Sequence, residues 1–148
     1  MYAGLVAAAL MLPARPVQLG KMKPVEVVQM TGAAGLITLE TDTGDTGAGE
    51  TVLQALTDLK ETARGIVYLD TAAYLLVSED AGQLIPELEP HLKSGIYIVQ
   101  VSGEVELEKA AEFLEVHKPS VQLKEWSQEL KLEEIRQEKE KMILVEKR

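Results

Sequence analysis

Cysteine is absent from all 148 residues, histidine occurs only twice, and basic residues are scarce through the middle of the chain. Without cysteine there is no disulfide framework, no thiolate metal site, no cysteine nucleophile and no cysteine to carry a lipid. His91 and His117 stand 26 positions apart with no metal-ligand spacing around either, so both read as surface residues. Residues 26–115 hold 17 acidic side chains against 4 basic ones, a local charge of −13 within a chain of net −9. A body this acidic repels phosphate backbones and anionic lipid surfaces, which argues against nucleic-acid binding.

A hydrophobic run of membrane-spanning length is also missing. Residues 1–12 carry no charge, but as a helix they would reach only ~18 Å against a hydrocarbon core of ~30 Å. Their length suits the apolar part of an export signal or the end of a membrane segment. No basic residue precedes them, whereas Arg15, Lys21 and Lys23 follow. The expectation is a membrane-associated protein held through residues 1–12, with the side of the membrane left open.

What is present indicates a folded protein. A hydrophobic content of 46% and a length of 148 residues suit one domain with a sizeable core. Pro13, Pro16, Gly20 and Pro24 mark residues 13–24 as an extended linker. Val25–Met30 and Gly35–Glu40 read as two strands of a hairpin turning through residues 31–34. Residues 50–63 place Val52, Leu53, Leu56, Leu59 and Ala63 at helical spacing, with Gly65 as the stop. Ile66–Leu69 and Tyr74–Ser78 are short strands, the second apolar enough for the centre of a sheet.

A Leu-rich helix follows Ser78, with Ala81, Leu84, Ile85, Leu88 and Leu92 on one face and Pro86 and Pro90 dividing it. Ile96–Val101 reads as a strand, and Leu107, Ala110, Ala111 and Leu114 as a helix face. The Glu/Lys-rich residues 122–142 have helical propensity and a thin apolar stripe anchored by Trp126. The predicted fold class is α/β (α+β): a small mixed sheet of four to five strands with helices packed on it. Residues 25–119 form the domain, and residues 120–148 are expected as a charged helical tail.

The segment Asp42–Thr51 comes closest to a catalytic signature. Gly44-x-x-x-x-Gly49-Glu50-Thr51 has phosphate-loop spacing, but Glu50 replaces the lysine that neutralises phosphate. Three acids, Asp42, Asp45 and Glu50, would instead face a polyanion at an unfavourable cost. Asp42-Thr43-Gly44 and Asp45-Thr46-Gly47 echo the turn of an aspartic protease, yet neither follows a hydrophobic strand directly. The same three carboxylates could meet calcium, although their spacing fits no EF-hand. The expectation is no catalytic residue, no metal and no cofactor; the alternative is a small cytosolic ligand-binding protein or enzyme using Asp42–Thr51.

The order of elements carries one family likeness. A strand with Ile37-Thr38-Leu39-Glu40 precedes the glycine-rich stretch, then Gly49-Glu50-Thr51-Val52-Leu53-Gln54-Ala55-Leu56 opens a helix. Ile66-Val67-Tyr68-Leu69, Tyr74-Leu75-Leu76-Val77-Ser78-Glu79-Asp80-Ala81 and Ile96-Tyr97-Ile98-Val99-Gln100-Val101-Ser102-Gly103 follow. Over about two-thirds of the chain this resembles the N-terminal domain of Ger(x)C-type spore-germination proteins. The family is non-catalytic and exported, so the resemblance implies a module that contacts proteins, membrane receptor subunits among them. The chain departs from it in lacking a lipid-accepting cysteine and the histidine usual near Asp70-Thr71-Ala72-Ala73. It also carries a short charged segment where the family has a larger C-terminal domain.

Overall fold

The computed structural model describes residues 22–63, 66–138 and 141–145. A seven-stranded mixed sheet organises them. Its strands are β2 (Val27–Ala33), β3 (Leu36–Thr41), β4 (Thr46–Gly49), β6 (Tyr74–Ser78), β7 (Tyr97–Val101), β8 (Glu134–Glu138) and β9 (Lys141–Val145), in spatial order β9-β8-β7-β6-β2-β3-β4. The four strands β8, β7, β6 and β2 run parallel, and the antiparallel partners β9 at one end and β3–β4 at the other complete the sheet.

The expected hairpin forms, with β2 one residue longer than predicted, β3 shifted by one residue at the same length, and a shorter turn. Thr31–Ala33 continue β2, and the reversal is made by Ala34 and Gly35 alone, both at positive φ (52° and 81°). Two such residues match the right-handed twist of the flanking strands. The central strand is also as expected. Tyr74, Leu75, Leu76 and Val77 are all buried, the continuous apolar pattern of a strand covered on both faces.

One face carries α1 (Val52–Thr62) and the segment that holds α2 (Ile85–Leu88). Their Ala55, Leu56, Leu59, Ile85 and Leu88 pack on Val28, Met30, Leu39, Leu75, Val77 and Ile98. Thr51 caps α1 by accepting the Gln54 N–H at 3.1 Å. The predicted stop at Gly65 lies outside the described residues. Pro86 and Pro90 divide the second helix as expected, leaving one α-helical turn between two 3₁₀ stretches, with each proline in a first-turn position. On the opposite face α3 (Leu107–Val116) places Ala110, Ala111 and Leu114 on Val27, Tyr74, Leu76, Val99, Val101 and Ile135.

Three expectations are corrected. The sheet has seven strands rather than four to five, because part of the glycine-rich segment is itself a strand, β4. The charged C-terminal helix is not formed: residues 123–125 make one 3₁₀ turn, and β8 and β9 form a hairpin that extends the sheet. Ile135 decides this, being fully buried beside Val101, so tertiary burial overrides the helical propensity of the surrounding Glu and Lys. Trp126 therefore anchors no terminal helix; it follows the 3₁₀ turn and packs half-buried against the larger core. Finally, the expected linker ends in a strand, β1 (Met22–Pro24), paired in parallel with β5 (Ile66–Tyr68) in a separate two-stranded sheet. Among the described residues no helix is long and apolar enough to cross a membrane. Residues 1–12 lie outside them.

Candidate functional site

Asp42, Asp45, Glu50 and the glycines between them lie at the sheet edge where β3 turns into β4 and β4 into α1. Asp42 and Asp45 each have a definite structural task. Asp42 Oδ1 accepts the backbone N–H groups of Glu26 and Val27, both at 3.0 Å, and so pins the turn to the start of β2. Asp45 is buried and closes a small ring. Its N–H donates to Thr41 Oγ1 (3.3 Å), and the Thr43 hydroxyl donates to Asp45 Oδ2 (2.7 Å). Having given its proton to Asp45, Thr43 accepts the Thr41 hydroxyl at 2.6 Å. Gly44 sits at φ +90°, which the tight Thr41–Asp45 reversal requires.

The other two glycines are explained by close approach. A Cβ at Gly47 would overlap the backbone of Ala55 and Leu59 in α1, and one at Gly49 would come within 2.5 Å of Gln54 Cβ. Helix α1 lies directly on β4, and only glycine admits it. The helix also completes the strand's outer edge. Asp58 Oδ2 accepts the Ala48 N–H (2.8 Å), and the Thr62 hydroxyl donates to the Thr46 carbonyl (2.9 Å). Glu50 is exposed, and its backbone N–H donates to Gln54 Oε1 at 3.0 Å. The phosphate-loop spacing thus arises from the tight turn at Gly44 and the helix-on-strand packing at Gly49.

Thr41, Asp42 and Gly44 border a shallow groove of about 560 Å³, whose other wall is the start of α3 with Glu106, Glu108, Lys109 and Glu112. Glu106 accepts from Gln137 Nε2 (2.8 Å) while its N–H donates to Gln137 Oε1 (2.8 Å), and Lys109 lies 3.3 Å away. The Gln137 hydrogen bond, then Lys109, holds the Glu106 carboxyl below its ordinary value. This groove is predominantly acidic, with Lys109 its one basic lining residue. Among the described residues, no three carboxylate or imidazole groups are arranged to hold a metal ion.

A second cleft, about 550 Å³, opens on the α1 face at the carboxyl ends of β6 and β7. Val77 and Gln100 form its floor, with Gln83 on one wall and Trp126 and Lys131 on the other. Sequence reasoning missed it, since the wall from residues 126–132 was expected to be helix. Open α/β sheets place ligands in this position, whereas the sequence pattern makes Trp126 an anchor of the expected terminal helix. His91 is exposed at the end of a 3₁₀ turn, and His117 stacks on Phe113 with ring centroids 4.6 Å apart. The structure brings neither histidine into a site.

Compared with protein-family models, with curated proteins and with solved structures, the chain matches none.

Proposed function

We propose that this protein is a non-catalytic, membrane-associated module that works through protein–protein contacts, similar in kind to the N-terminal domain of Ger(x)C-type spore-germination proteins. One observation carries the reading. The segment with the nearest approach to a catalytic motif spends its side chains on the fold: Asp42 on two backbone N–H groups, Asp45 on Thr43, and Gly47 and Gly49 on the approach of α1. The order of strand, glycine-rich stretch, Thr51-capped helix and apolar strands supports the resemblance read from the sequence. The apolar residues 1–12 would supply the attachment, and membrane receptor subunits are the partner class the resemblance suggests.

Fractionation of the native host tests this. The full chain is expected with the membranes, and deletion of residues 1–12 is expected to release it without unfolding residues 22–148. A full chain found wholly in the soluble fraction, in a host that forms no spores, would contradict the proposal.

A further inference from the structure

Among the described residues the sheet ends at β4 on one side and at β9 on the other, and the two edges differ. At β4 the outward Ala48 N–H is taken by Asp58 and the outward Thr46 carbonyl by Thr62, so that edge is closed by side chains of α1. At the other end, β9 pairs only with β8 among the described residues. Its outer side carries a row of backbone donors and acceptors with none of the usual protections: no proline, no bulge, and Lys141 as its one charge. Met142, Ile143, Leu144 and Val145 are apolar and only half-buried, and Ile143 and Val145 are β-favouring. Met142 and Leu144 lean on the α3-side core, so the alternation of a strand puts Ile143 and Val145 on the opposite face. Such a strand joins an uncapped backbone edge to apolar side chains, the template on which a further strand pairs.

We propose that the flanking strand is β9 of a second copy, paired antiparallel about a two-fold axis so that the two sheets become one. Charge selects this occupant. The stretch 26–115 carries −13, which opposes the approach of a like body, whereas residues 124–148 balance seven acidic against seven basic side chains. The β9 edge is therefore where two copies meet with least repulsion. Geometry agrees: a perpendicular two-fold through Ile143 sets Ile143 opposite itself and Met142 opposite Leu144 of the second copy, an apolar centre flanked at each end by Lys141 opposite Val145. Because the β4 edge is closed, the pairing stops at two copies and does not propagate into a filament. The inference rests on β9 alone and is independent of the membrane reading above.

The absence of cysteine gives a clean test on the full chain in a mild non-ionic detergent, which keeps residues 1–12 from associating. Facing residues in an antiparallel pair have Cα atoms about 4.5–5.5 Å apart, within the ~4.4–6.8 Å that a disulfide spans. Ile143→Cys is expected to oxidise to a covalent dimer, while Leu53→Cys, on the exposed face of α1 (65% accessible), stays monomeric. Sedimentation equilibrium of the unmodified chain should show a dimer, and Ile143→Lys should weaken its association at least ~10-fold. Equal cross-linking of the two cysteine variants, or a monomer at every concentration, would overturn the proposal. If Ile143→Lys fails to fold, the cross-linking comparison still decides.

Discussion

Gly47 and Gly49 fix the distance between β4 and α1, because each would drive a Cβ into the helix. Gly47→Ala and Gly49→Ala are expected to cost ~1–3 kcal/mol each, as overpacked substitutions do. Gly82→Ala, with nothing within 4 Å, should stay within about 0.5 kcal/mol; urea unfolding of the three variants checks the order. Ala34 presents the opposite case. It holds φ 52° without the freedom of glycine, so Ala34→Gly should raise stability by up to ~1 kcal/mol in the same assay. Tyr74 gives a pH signature. Burial, then Glu115 and Glu26, push its hydroxyl above the ordinary 10.0. The fold thus keeps this proton to higher pH than the unfolded chain does. The associated stability is intact below pH ~10 and is lost as pH rises through the higher folded value. Tyr74→Phe should reduce the loss of stability between pH ~9 and ~11, read from urea midpoints.

Among the elements, those legible in the sequence were the ones whose burial pattern is local. The apolar run Tyr74–Val77 announced a central strand, the spacing of Val52, Leu56 and Leu59 announced α1, and Pro86 and Pro90 announced a broken helix. Two elements depend on distant partners and were misread. The Thr46–Gly49 strand looks like a loop because its residues have little strand preference; it exists because β3 pairs with it and α1 covers it. The residue 134–145 hairpin carries helix-favouring Glu and Lys, and only the docking of Ile135 beside Val101 makes it sheet. Ile135→Ala should therefore cost about 2–5 kcal/mol, as a fully buried large-to-small change does. It should also lower amide protection across β8 and β9 in hydrogen exchange more than in β3. Uniform loss across the sheet would mean that the hairpin is not held by this contact. The candidate site was partly legible: Asp42–Thr51 was found, but its task was not, since the overlap of Gly47 with Ala55 and Leu59 appears only once the helix is folded back. The cleft beside Trp126 and Lys131 was illegible, because its wall is built by a segment that reads as helix.

At the scale of the whole molecule, charge and packing point the same way. A body carrying −13 over residues 26–115 discourages polyanions, and the segment nearest to a nucleotide or calcium motif is occupied in joining β3, β4 and α1. Both observations are what the proposed protein-contacting role relies on. The most direct measurement is a titration of the folded chain with magnesium nucleotide and, separately, with calcium, following the backbone amide signals of Gly44, Asp45, Gly47 and Gly49 by NMR. The account predicts that these four signals stay in place while the protein remains folded. A saturable shift of the same four, removed by Asp45→Ala in a chain that still folds, would contradict it and make the segment a ligand site.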